Sequence, residues 1–227
     1  MNEFLDKLLS ILTQLGSGFL TSIVLFFLTL IFSIPLGLLV AKGRMSKNVV
    51  VRSLVRFYIS VMRGTPLMLQ LLLVYFGPYY LFNINLRTLK LGPIDYRNIA
   101  AVIGFSINYA AYFGEIFRSG IQSMSKGQYE AATVLGFSKA QTYFRIILPQ
   151  VIKRVLPAVT NEIITLVKDT SLAQAISVIE MFTVAKQISA SQASVIPLFI
   201  AGVFYYVFNF IVAFVMERIE KKLSYFR

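Results

Sequence analysis

The chain has 227 residues, of which 57% are hydrophobic and only 14% charged, with a formal net charge of +12. A soluble domain carries about a quarter charged residues, so the composition points to a chain that crosses a membrane several times. With no cysteine and no histidine, it has no disulfides, no thiolate or imidazole metal site, and no Cys–His or Ser–His–Asp catalysis.

The ten acidic residues are scattered and form no carboxylate-rich metal cluster. The cations sit between apolar stretches, where topology signals lie, and do not gather into a nucleic-acid-binding face. At the N-terminus, Phe4, Leu5, Leu8, Leu9, Leu12 and Leu15 fall at helical spacing, predicting an amphipathic surface helix over 1–15. Glu3 and Asp6 stand where a signal peptide would carry cations, so the first apolar stretch reads as a retained span.

Five segments are long enough to cross about 30 Å of hydrocarbon: 18–41, 57–82, 98–118, 151–167 and 195–216. The fourth is the most polar, because it contains Asn161 and Glu162. The stretch 170–183 is too short to cross and reads as a re-entrant or peripheral helix. The fold class is therefore an all-α integral membrane protein with five transmembrane helices.

Its orientation follows from the connections. The first holds Lys42, Arg44, Lys47, Arg52 and Arg56. The third holds Arg118, Lys126, Lys139, Arg145, Lys153 and Arg154, and the tail adds Arg218, Lys221, Lys222 and Arg227. Only Lys7, Arg87, Lys90, Arg97 and Lys186 lie on the opposite side. The positive-inside rule then puts the N-terminus outside and the C-terminus in the cytoplasm.

The third connection is unlike its surroundings. Ser125 precedes Gln128 by three residues and Ser138 precedes Gln141 by three, each the pattern of a capping box. A short helix is predicted over 128–135, with Gly136 as its left-handed end and Ala131 and Ala132 leaving a flat face for another surface. A second helix is predicted to begin near Lys139 and stop before Pro149. An ordinary polar loop is the plainer alternative.

Here the sequence resembles a known family. "EAATVLGFSKAQTYFRIILP" (130–149) is similar to the cytoplasmic coupling loop of the permease subunits of binding-protein-dependent ABC importers. "RGTPLMLQL" (63–71), "AYFGEIFRSGIQSMSKGQYEAA" (111–132) and "LPAVTNEIITLVKDTSL" (156–172) are similar to the polar amino-acid uptake group, of histidine, glutamine and arginine type. Ser119 departs from the group, which has Gly there.

The resemblance spans about 16–218 and implies a type I importer permease domain, with a coupling loop at about 125–149 and a cytoplasmic tail at 219–227. It also implies the partners: two cytoplasmic ABC ATPase subunits that hold ATP and Mg, a second permease copy or homologue, and an extracytoplasmic amino-acid-binding protein. The setting would be a bacterial cell membrane. Glu130, Ala131, Ala132 and Gly136 would contact the ATPase. This chain has no phosphate-binding G-x-x-x-x-G-K-[ST] motif, so ATP would be hydrolysed by a partner.

Ionisable groups inside a membrane face a cavity or a partner. Gly104, Asn108, Ala111 and Glu115 share one helix face, and Ala158, Glu162, Thr165 and Asp169 repeat that spacing. Ser33, Gly37 and Ala41 form a close-packing face. Glu162 lies eight residues past Arg154, about 12 Å into the span. A carboxylate there calls for a cation, so Glu162 beside Asn161 is a candidate contact for a cationic ligand; an interhelical hydrogen bond is the alternative. Glu115 is a second candidate, with Arg118 able to pair with it on the same helix. Asp169, beside Lys168, reads as structural.

In "RGTP", Thr65 is predicted as an N-cap and Pro66 as the first helical residue, leaving the amides of Leu67 and Met68 free to hold an anion. Met68 and Tyr109 are further candidate pocket residues. The expected cargo is a polar, cationic amino acid such as arginine, lysine or histidine. Glutamine, glutamate or cystine is the alternative within the class, and a passive channel or structural subunit is the alternative outside it.

Overall fold

The computed structural model describes residues 2–86, 90–91 and 94–223. The described residues are almost entirely helical. They form α1 (Asn2–Arg44), α2 (Val49–Gly64), α3 (Leu67–Phe82), α4 (Tyr96–Gln122), α5 (Lys126–Val134), α6 (Lys139–Gln141), α7 (Leu148–Asp169), α8 (Met181–Gln192) and α9 (Ile196–Leu223). Two strands of two residues each, β1 (Lys90–Leu91) and β2 (Ile94–Asp95), pair antiparallel ahead of α4.

Helices α1, α4 and α9 are each long and apolar enough to cross a membrane, and the pair α2/α3 passes the same test only as a broken span bent by 111°. The stretch 57–82, expected as one span, is therefore an elbow. Helix α7 has 22 residues, about 33 Å, but Lys153, Arg154, Glu162 and Lys168 leave it too polar to pass alone. The N-terminal segment does not form a separate surface helix. It is the first third of α1, which runs unbroken through residue 15, because Ile11 and Leu15 are buried against Met181, Val184, Ala185, Ile188 and Ala201. Arg87 and Arg227, counted for orientation, lie outside the described residues.

The main core gathers α4 at its centre. Phe105, Tyr109 and Phe113 pack with Leu25 and Phe26 of α1, Leu71 of α3, and Ile163, Leu166 and Val167 of α7. Lipid offers helices no hydrophobic drive to associate, so contact depends on small residues that let backbones approach. A side chain on Gly37 would meet Phe113, and one on Gly114 would meet Val40, both within 3.0 Å. A side chain on Gly18 would meet the Met181 backbone at 2.9 Å. The face predicted from Ser33, Gly37 and Ala41 is thus the α1–α4 seam, with Ser33 and Ala41 buried.

Gly120 fills the same role between α4 and α7, where an added side chain would overlap Val155. Ser119 beside it is exposed. The chain keeps glycine at the position that packing demands and carries serine at the neighbouring one that packing leaves open. Gly120→Val is expected to destabilise the protein by about 2 kcal/mol through overpacking, while Ser119→Gly costs less than about 1 kcal/mol of helix propensity. Thermal melts of the detergent-solubilised protein would show the contrast.

Between α7 and α9 the chain turns through a 3₁₀ helix (Thr170–Ile176) and the short α8. Glu180 caps α8, accepting from the Phe182 and Thr183 amides at 2.7 Å each and from Tyr205 Oη at 3.0 Å and Ser22 Oγ at 3.4 Å. This buried carboxylate ties α1, α8 and α9 together. The stretch 170–183, expected as one short helix, is instead the 3₁₀ helix followed by a turn, and α8, with 12 residues, begins only at its end and is too short to cross.

Candidate functional site

The α2/α3 elbow differs from its sequence reading. Pro66, not Thr65, occupies the N-cap of α3, and Thr65 ends α2. The Thr65 hydroxyl donates back to Val61 O at 2.8 Å. Once Pro66 removes an amide and forces the preceding residue into an extended conformation (φ −121°, ψ 150° at Thr65), the helix has to end. Gln70 and Asn108 fill the corner with their side-chain amides. Asn108 Nδ2 donates to Met62 O at 3.1 Å and to Gln70 Oε1 at 2.9 Å.

A cavity of about 310 Å³ opens between the end of α2, α4 and α7. Its charged lining is Arg63, Glu115, Arg154 and Glu162, with Tyr112 and Ser119 between them. The Arg63 guanidinium lies over the Tyr112 ring, 5.2 Å from its centre, and makes no ion pair among the described residues. Glu115 Oε1 accepts from Arg118 Nε at 3.0 Å, whereas its Oε2 is buried without a hydrogen-bond partner among the described residues. Arg154 donates to Ser123 O at 2.7 Å. Glu162 is half-buried and has no hydrogen bond or ion pair among the described residues. Two cations and two carboxylates thus line one partly open cavity, which offers charges of both signs.

The other candidates fall elsewhere. Asn108 is 4% exposed and occupied by the elbow. Tyr109 is 2% exposed and donates to Asp169 Oδ2 at 2.8 Å, which gives Asp169 the structural part read for it. Thr65, Leu67 and Met68 sit at the elbow outside the cavity lining. Asn161 is exposed, its carbonyl accepting from Thr165 at 2.9 Å. The stripe on α4 turns inward, but on α7 Ala158 and Thr165 remain exposed, so that face is open toward whatever lies beside this chain. Arg63, Tyr112 and Arg154 were missed from sequence. Arg63 lay in the "RGTP" motif, where attention to backbone amides hid the nearest cation.

The coupling-loop segment is built from two defined caps. Phe137 N donates to Ala132 O and Gly136 N to Thr133 O, both at 3.0 Å, with Gly136 at φ +77°. This pair of bonds is a Schellman motif, and the left-handed angle explains the glycine. Ser138 and Gln141 form the expected capping box, the Ser138 amide donating to Gln141 Oε1 at 2.8 Å. Ser125 caps α5 without a side-chain bond.

The second helix does not stop before Pro149. It passes through a π-helical turn (Thr142–Ile147) and continues as α7. Wider hydrogen bonds in that turn accommodate the carbonyl that proline cannot pair, so the loop is continuous with α7.

Ala132 is buried within the chain, while Glu130, Ala131 and Gly136 are exposed. Beside them Val134 is 87% exposed and Leu135 73%, with Tyr129 and Phe144 also outward. This apolar patch on a short polar loop is the surface a partner would cover. Val134 and Leu135 were not singled out from sequence, since their burial depends on which way α5 faces.

Residues 33–225 match the family described as "Binding-protein-dependent transport system inner membrane component". Among curated relatives, the putative glutamine transport system permease protein GlnP of Rickettsia felis is 32% identical over 98% of this chain and 99% of its own length. The L-cystine transport system permease protein TcyB of Bacillus subtilis is 38% identical over 92% and 86%. The arginine transport system permease protein ArtQ of Bacillus subtilis is 40% identical over 74% and 73%. A solved structure of an amino acid ABC transporter with histidines superposes with a TM-score of 0.83 at 30% identity, covering 95% of this chain and 97% of that one. By this match over most of its length, the chain belongs to the family of inner membrane permease components of binding-protein-dependent ABC transport systems.

Proposed function

We propose that this chain is the translocation subunit of an ATP-driven importer of polar amino acids, with cationic ones as its preferred cargo. The observation that carries this reading is the Glu162 carboxylate, unpaired among the described residues in a cavity that also holds Arg63. An amino acid fits with its carboxylate against Arg63 and its cationic end toward Glu162. Charged groups in a cavity walled by low-dielectric protein are worth more to a ligand than on an open surface. The names of the arginine permease and of the transporter with histidines support cationic cargo. The glutamine and cystine permeases among the relatives keep a neutral amino acid as the second reading.

In this reading α7 is the fifth span, its polar face turned to the path and to a second permease. The N-terminus lies outside and the C-terminus in the cytoplasm. One of two ATPase subunits carrying ATP and Mg docks on α5 through Glu130, Ala131, Val134 and Leu135, the other on the second permease, and an external binding protein delivers the cargo. Calorimetry on the purified permease–ATPase complex, across arginine, lysine, histidine, glutamine and glutamate, tests it. Tighter binding of the cationic members supports the reading, tighter binding of glutamine favours the second one, and no binding by any would leave selectivity to the external protein.

A further inference from the structure

The elbow between α2 and α3 is held by a clamp that reaches the cavity. The last carbonyls of a helix lack partners, and inside a membrane no bulk water supplies them. Here Val61 O takes the Thr65 hydroxyl, and Thr65 O takes Gln70 Nε2 at 3.1 Å. Met62 O takes two donors, Gln70 Nε2 at 3.0 Å from α3 and Asn108 Nδ2 at 3.1 Å from α4. The two amides are also bonded to each other, and both are buried, Gln70 being 7% exposed. One donor would satisfy Met62 O. Two, arriving from different helices, fix its position relative to both.

Met62 directly precedes Arg63, the cation lying over Tyr112. Tyr112 sits one turn beyond Asn108 on α4, so the same helix holds the arginine from both sides: Asn108 through the preceding carbonyl, Tyr112 through its ring. We propose that the Gln70–Asn108 amide pair is a positioning device of the cavity, locking the end of α2 so that Arg63 meets the carboxylate of the ligand. The proposal rests on the reading above in which Arg63 takes that carboxylate. Neither amide touches the ligand; both act through Arg63.

The test uses the whole permease–ATPase complex and two probes that share a side chain and an α-amino group, L-arginine and L-argininamide. Should the complex prefer neutral cargo, the pair is L-glutamine and L-glutaminamide. Gln70→Met, which keeps length and apolar volume, and Asn108→Ala are each expected to weaken the amino acid about tenfold and the amide less than about twofold. Gln70→Met combined with Arg63→Met is expected to be no worse than Arg63→Met alone, because both act on one contact.

Equal weakening of both probes, or additive losses in the double variant, would reduce the pair to structural support and overturn the proposal. If Arg63→Met abolishes the preference for the carboxylate while Gln70→Met retains it, only the positioning role fails. If Arg63→Met itself leaves the preference intact, or the wild type binds neither probe, the reading of Arg63 fails and the proposal with it.

Discussion

Glu162→Gln is expected to weaken binding of arginine or lysine about tenfold or more, while glutamine binding changes less than about threefold. The substitution keeps the shape and removes the charge, and a hydrogen bond to a charged group contributes about 1.5–3 kcal/mol. The carboxylate forms no hydrogen bond or ion pair among the described residues, so the folded structure loses little when it is neutralised. Its worth is realised only by a cationic ligand or by a partner chain. Calorimetry of the variant complex with both ligand classes is the measurement. Equal losses for both, or a collapse of assembly without ligand, would make Glu162 an interhelical contact.

Leu135→Asp is expected to abolish ATP-driven uptake, and Glu130→Ala to reduce it strongly, with the permease still folded in the membrane. Leu135 lies just past the last residue of α5 and is largely exposed, so a charge there disturbs nothing inside the chain. Across an interface it would be desolvated without a partner, a loss of 2 kcal/mol or more, about thirtyfold. Uptake in proteoliposomes, with co-purification of the ATPase as the second readout, checks both variants. Unchanged uptake in both would remove α5 from the coupling contact. The π-helical turn and α7 form one continuous rod from this loop to Glu162, so a displacement of α5 has a direct covalent route to the cavity.

Much of the molecule was legible without coordinates because lipid restricts what a sequence can do. Backbone groups in hydrocarbon must be paired within a helix, so apolar length alone marks α1, α4 and α9. The capping box at Ser138, the left-handed glycine at Gly136 and the small-residue face at Ser33, Gly37 and Ala41 are equally local, since each depends on residues within one turn or one stripe. The coupling-loop and permease motifs placed the chain in its family for the same reason: they are short and contiguous.

The cavity was not legible in that way. Arg63, Tyr112, Glu115 and Glu162 come from three helices, and nothing in their spacing along the chain announces that they share one space. Helical periodicity put Asn108 and Glu115 on a single face, which is correct, but cannot tell how far along that face packing ends and a cavity begins. Asn108 and Tyr109 fell on the packed side because α3 and the end of α7 approach α4 there, satisfying one with Gln70 and the other with Asp169. The sequence by itself therefore determined the long apolar helices, the caps at Gly136 and Ser138 and the class of protein, all set by local hydrogen bonding and burial in lipid. Which polar groups remain unpaired, and hence free for a ligand, was decided only by the tertiary structure, because pairing is a property of neighbours that the chain brings together from far apart.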